Sequence, residues 1–211
     1  ILQDYLTLFK FSFFQKNRQT CLYIIFLFIP LIKKKEIMSS PRERILERAS
    51  ILFHHQGYNS TGINQIISEA NVAKASFYQH FKTKDDLCVT FLNRRHESWF
   101  NALSEFTSTS ENAQEKIVAA FDFIMHMNEK ENFRGCSFLN IMSEISKEQE
   151  NILKVIQSHK NDLRVFFSQL IEDELLATHI YLLFESSIIE SQLFGSNEIV
   201  HKSKAIVKSI I

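Results

Sequence analysis

The sequence predicts an all-α protein, and three observations carry the prediction. From Pro41 onward, apolar residues recur with the 3.6-residue period of helices that bury one face. Helix-start patterns stand at Ser40-Pro41-Arg42-Glu43 and Thr83-Lys84-Asp85-Asp86. Four Gly and two Pro in 211 residues leave few of the punctuating residues that a sheet-rich fold needs. A chain of this length supports one or two domains and a sizeable core.

The zero net charge hides a gradient. Lys/Arg stand to Asp/Glu as six to two over residues 1–40, eight to six over 41–101, and ten to sixteen over 102–211. A mildly basic head on an acidic body suits a protein that meets a polyanion through one end. Cys21, Cys88 and Cys136 show neither paired nor metal-ligand spacing. That argues against a disulfide framework and a structural zinc site, and for a reducing cytoplasm.

Residues 1–37 differ from the rest. The apolar run from Cys21 to Ile32 is flanked by Lys and Arg, falls short of the roughly 18–20 residues that span a bilayer, and lacks a signal-peptide cleavage site. The segment opens on Ile, and Phe, Ile, Leu, Lys, Asn and Tyr dominate it, as in translated AT-rich DNA. We expect it to be a non-native leader read in frame, with the native chain starting at Met38 or Ser39. A native leader would instead point to a membrane-tethered protein.

The first expected helix has Ser40 at the N-cap, Pro41 at N1 and Glu43 at N3, with Ile45, Ala49 and Leu52 on one face and Gly57 just past its end. Thr61 is the expected N-cap of a second, short helix carrying Ile63, Ile66, Ile67 and Ala70 at i, i+3, i+4 and i+7. Asn71 follows where the chain must turn, and Asn tolerates left-handed backbone angles. In the next helix Val72, Phe77 and Phe81 face inward, leaving Lys74, Ser76, Tyr78, Gln79 and His80 facing out. No acid stands between Val72 and Thr83. Such a helix is a poor core element and a plausible reader of DNA. Thr83 then caps a fourth helix running through Leu92, Trp99 and Leu103.

This ordered run, PRERILERASILFHHQGYNSTGINQI followed by ISEANVAKASFYQHFKTKDDL, resembles the DNA-binding domain of the tetracycline-repressor (TetR) family of bacterial regulators from Pro41 to about Phe100. One departure is Asn71, where family members often carry glycine. The resemblance implies a helix-turn-helix DNA-binding domain over 38–100 and a helical effector-binding and dimerisation domain over 101–211. It also implies a regulator, expected to be a repressor, that a small-molecule effector releases from a palindromic double-stranded DNA operator. Within it, Thr61 at a helix N-terminus can offer its hydroxyl and N–H to a phosphate. Lys74, Tyr78, His80 and Lys84 suit phosphate contacts, and Ala75, Ser76 and Gln79 suit base edges. Arg42 and Arg44 are candidates for flanking backbone contacts or for plain surface roles.

After a polar break at 107–112, the pattern continues as helices around Ile117, Phe121 and Ile124, from Cys136 to about Ile145, from Ile152 to Leu170, from Leu175 to Phe194, and past Gly195. The last two carry more apolar surface than one domain hides, which calls for a symmetric partner. In the resembling family this pair forms the homodimer interface. Phe121, Met125, Cys136, Phe138, Met142 and Phe166 are the expected lining of the effector pocket. Cys136, in the first turn of its helix beside Arg134, has surroundings that make a thiol reactive. It reads either as an oxidant or electrophile sensor or as a small packed cysteine. No nucleophile elbow, phosphate loop or ligand cluster is present, so neither catalysis nor a cofactor or metal is expected. The Glu172-Asp173-Glu174 run is expected to end a helix in solvent. The remaining alternative is a helical, dimeric interaction protein that binds no DNA.

Overall fold

Each helix begins and ends where local chemistry requires. The computed structural model describes residues 39–211, so the expectations for residues 1–37 and for Met38 lie outside the described residues. α1 (Pro41–His55) opens on its proline and buries Ile45, Leu46, Ala49, Leu52 and Phe53. It stops at Gly57, whose φ of +93° is left-handed. A Cβ there would also lie 2.5 Å from Glu144 Oε1, so glycine serves both the turn and a close approach.

α2 (Ile63–Glu69) and α3 (Lys74–His80) flank Asn71, which takes the expected left-handed turn at φ 49°. Arg44 of α1 clamps this turn, donating from Nε to the Ala70 carbonyl (3.1 Å) and from the guanidinium end to the Asn71 carbonyl (3.4 Å). The N-cap of α2 is Gly62, not Thr61 as expected. Thr61 is fully buried, its hydroxyl donates to the Gly57 carbonyl (2.6 Å), and its N–H bonds the Tyr58 carbonyl (3.2 Å).

α4 (Lys84–Phe106) starts with the predicted capping box. Thr83 Oγ1 accepts from Asp86 N–H (3.0 Å), and Asp86 Oδ2 accepts from Thr83 N–H (3.1 Å). The helix runs unbroken across position 100. α5 (Ala113–Lys130), α7 (Glu150–Ser168), α8 (Glu174–Phe194) and α9 (Glu198–Ile210) form the body, with the short α6 (Ser137–Met142) between α5 and α7. The 172–174 acids begin a helix instead of ending one: Asp173 caps α8 by accepting from Leu176 N–H (2.9 Å).

Two apolar cores follow. The first joins Ile45, Phe53, Phe77 and Leu92 of the head to Phe138, Ile141, Ile152 and Ile156 of α6 and α7. The second, in the body, packs Phe121, Phe123, Phe167 and Phe184 with Leu103 and Val200. The head is therefore closed from behind by α6 and the start of α7, and 41–211 form one compact unit.

Candidate DNA interface and interior pocket

The outer face of α3 follows from its inner one. Phe77 (fully buried) and Phe81 pin the helix, so the positions between them project outward. Lys74, Ala75, Tyr78, Gln79 and His80 are exposed and Ser76 is half-buried. Tyr78 rests edge-on against Phe77 at 5.3 Å and stays 45% exposed, which leaves its hydroxyl available. The face carries one lysine and no acid.

One expected contact is corrected and a second is reduced. Thr61 offers neither hydroxyl nor N–H outward, because both are held by the α1–α2 loop. Lys84 lies across that loop, with Nζ donating to the Tyr58 (3.0 Å) and Thr61 (3.3 Å) carbonyls and sitting 4.0 Å from the Tyr58 ring centroid. It ties the loop to α4 and keeps at most one donor for an outside group. Arg44 is likewise held by the α2–α3 turn, while Arg42 lies over Phe81 and remains exposed.

A cleft opens between α4, α5, α6, α7 and α8. Of the expected lining, the structure brings only Cys136 and Phe138 to it. Phe121 is sealed in the body core, Met125 and Phe166 pack against that core, and Met142 lies 46% exposed on the far side of its short helix. The 3.6 period marked which residues turn inward but not which of them meet empty space.

The lining residues missed in the sequence are the apolar wall of Trp99, Phe123, Ile124, Met127, Leu163 and Ile188, and the polar ones as well. Lys160, nearly buried, forms an ion pair with Glu185 through both carboxylate oxygens (2.7 and 2.9 Å) and lies 3.5 Å from Cys136 Sγ. Burial pulls the Lys160 pKa down, but the Cys136 sulfur and the Glu185 carboxylate outweigh it and hold the group above the usual lysine value. Glu185 was visible as the one carboxylate inside the apolar stretch from Leu175 to Ile189, where a lone charge demands a partner. Cys136 itself is the N-cap of α6, not in its first turn, and its cationic neighbour is Lys160. Arg134 turns away to the His55 carbonyl (3.2 Å).

At the cleft edge Arg95 pairs with Glu131 (2.6 Å), and His54 of α1 meets Ser137 of α6 through Nδ1 (2.7 Å). His54 Nε2 lies 3.4 Å from Glu131 without hydrogen-bond geometry. Burial lowers the His54 pKa to about 4, against the pull of Glu131 and with help from Arg95, His55 and Arg134. His159 stacks flat on Phe138 (3.6 Å, 2°), and burial, then Lys160, His96 and Arg95, lower its pKa to about 3. Among the described residues, no group of three or more His, Cys, Asp or Glu is placed to hold a metal, and no helix is long and apolar enough to cross a membrane.

A short helix pinned by two phenylalanines, set behind a tight turn with its polar face outward, defines a helix-turn-helix DNA-binding protein. Residues 45–89 match the sequence model of bacterial regulatory proteins, tetR family. The head of the chain is a DNA-binding domain of that family, and the chain is a helix-turn-helix transcriptional regulator.

Its relatives agree. An uncharacterized HTH-type transcriptional regulator in the lacX 3′ region of Lactococcus lactis is 26% identical over 60% of this chain and 66% of its own length. The HTH-type transcriptional repressor NemR of Escherichia coli is 23% identical over 81% of this chain and 93% of its own. Solved structures share the fold: reduced E. coli NemR (TM-score 0.71, 22% identity, 82% of this chain and 97% of that one) and a TetR regulator from Legionella pneumophila (TM-score 0.69, 24% identity, 82% and 98%).

Proposed function

We propose that the protein is a ligand-released repressor that binds a palindromic double-stranded DNA operator as a homodimer in the cytoplasm. The observation that carries this is the outward face of α3, held rigidly by Phe77 and Phe81 on a head whose core is closed by the body. Residues 38–100 act as the DNA-binding domain and 101–211 as the effector-binding and dimerisation domain. Lys74, Tyr78 and His80, with the remaining donor of Lys84, contact phosphate; Ala75, Ser76 and Gln79 read base edges. The sign of regulation follows the relative named a transcriptional repressor. The cleft is the effector site. Its wall includes Ser137, hydrogen-bonded to His54 of the head, so an occupant that favours one arrangement of this contact biases the spacing of the two heads.

Binding curves on operator and scrambled DNA at several salt concentrations test the division of labour on α3. Gln79→Ala should lose roughly 1–3 kcal/mol on the operator and little on scrambled DNA, at two mirror-related positions. Tyr78→Phe should weaken both DNAs alike. Equal losses for Gln79→Ala on the two DNAs would remove Gln79 from the base-reading set. A protein that shows no salt-dependent binding to the DNA beside its own gene is not an operator-binding repressor of that gene.

A further inference from the structure

Taking the cleft as the effector site, we propose that it receives an uncharged, planar aromatic molecule carrying one hydroxyl-type group, which hydrogen-bonds Nε2 of His159. The charge pattern comes first. The two cations that line the cleft each have a carboxylate: Arg95 has Glu131 at 2.6 Å and Lys160 has Glu185 at 2.7 Å. The formal charge of this lining is zero. An ionic ligand would either bring an unmatched charge into a half-closed apolar site or break one of these pairs, and both are costly.

Two neutral polar side chains of the lining are engaged in part. Asn128 Nδ2 donates to Asn197 Oδ1 (2.9 Å), and Ser137 Oγ is bonded to His54 (2.7 Å). Trp99 Nε1 and Asn128 Oδ1 are left without a hydrogen-bond partner among the described residues, and so is one nitrogen of His159. This histidine is 3% exposed, lines the cleft, and uses Nδ1 toward His96 Nδ1 (3.2 Å), while Nε2 has no hydrogen-bond partner among the described residues. In the His96–His159 contact one nitrogen donates and the other accepts, so the tautomer decides whether Nε2 is left as acceptor or donor. A hydroxyl serves either case. The ring is neutral at ordinary pH, so it holds no charge to attract an anion.

The shape argument is aromatic. Trp99 stands edge-on to Phe123 (5.3 Å, 73°) and to His159 (5.6 Å, 77°), and Phe138 backs the His159 ring, with Leu163 and Ile188 completing an apolar wall. Rings set at right angles around a cleft give a flat π-system both faces and edges to meet.

Trp99 is the chain's single tryptophan, so its indole N–H gives one signal that reports entry directly. The probes are 2-naphthalenemethanol, 2-naphthoate, 2-naphthylmethylammonium and 2-methylnaphthalene, titrated into the ¹⁵N-labelled full chain. The alcohol should saturate the Trp99 shift at a concentration at least about tenfold below either ion. His159→Phe keeps the stack and removes the nitrogens. It should weaken the alcohol by about three- to tenfold and leave 2-methylnaphthalene unchanged. An ion that saturates at an equal or lower concentration, or no probe that moves the signal, overturns the proposal. An equal loss of both uncharged probes in His159→Phe removes the hydrogen bond from it. Operator binding is measured in the same samples. Saturation of Trp99 by the alcohol without release of DNA supports the ligand class and instead sinks the ligand-released repressor.

Discussion

His54 and His159 show what burial does to a titratable side chain. Both lie in or beside the cleft, and both are held far below the ordinary histidine pKa of 6.5, His54 at about 4 and His159 at about 3. Burial is the main cause in each. Around His54 the charged or titratable neighbours are Glu131, Arg95, His55 and Arg134; around His159 they are Lys160, His96 and Arg95. The sign follows from linkage. Between pH 6.5 and the depressed native values the unfolded chain binds more protons than the folded one, so stability falls as pH falls. It is complete above about pH 7, and each histidine removes on the order of 2 kcal/mol by pH 5. Urea midpoints measured from pH 7.5 to 5 should therefore drop, and His159→Phe should flatten the drop by about half. A variant whose midpoint falls as steeply as that of the parent chain would mean that His159 is protonated in the folded state.

At the scale of the element, the parts legible in the sequence are those whose causes are local. The α4 capping box needs only Thr83 and Asp86, three residues apart, and it formed as read. Asn71 took its left-handed turn, and the helical periods of α5, α7, α8 and α9 were each present in the spacing of their apolar residues. Thr61 misled because a threonine before an apolar run has the look of an N-cap. Its hydroxyl instead found the Gly57 carbonyl one turn back, and Gly62 took the cap position. Lys84 misled for the opposite reason, since the carbonyls it bonds are 23 and 26 positions away and leave no trace around it. The box gives a direct prediction. Thr83→Ala removes the acceptor for Asp86 N–H and should cost about 1 kcal/mol in chemical denaturation, with the helical signal of the folded state unchanged. Thr83→Ser keeps the oxygen and should recover most of that loss. If both variants match the parent chain, the start of α4 is held by Lys84 and the loop instead.

At the scale of the whole molecule, what the sequence left hidden is what long-range packing decides. The cleft is made by α4, α5, α6, α7 and α8 together, and no periodicity within one helix could show that Phe121 fills the core while His159 and Lys160 meet open space. The apolar excess of the last two helices was legible, and the structure shows what it leaves outside. On α8, Leu182 is 58% exposed, Ile189 50%, Leu193 69% and Phe194 71%, and on α9 Ile206 is 46% exposed. Side chains of this size on adjacent helices are the signature of a surface that another protein covers, and a two-fold axis lets the same patch cover itself. Under that symmetry each substitution enters the interface twice. Leu193→Glu should cost the isolated chain little, because the position is exposed, yet it places two carboxylates in an apolar contact. The variant should keep its helical signal and sediment as a monomer at concentrations where the parent chain is a dimer. Operator affinity should fall by about 100-fold or more, because the second head loses its tether, while weak binding to a half-site persists. Sedimentation equilibrium and binding to full and half operators measure both effects. A Leu193→Glu protein that remains dimeric would place the interface elsewhere and leave the α8–α9 patch without this role.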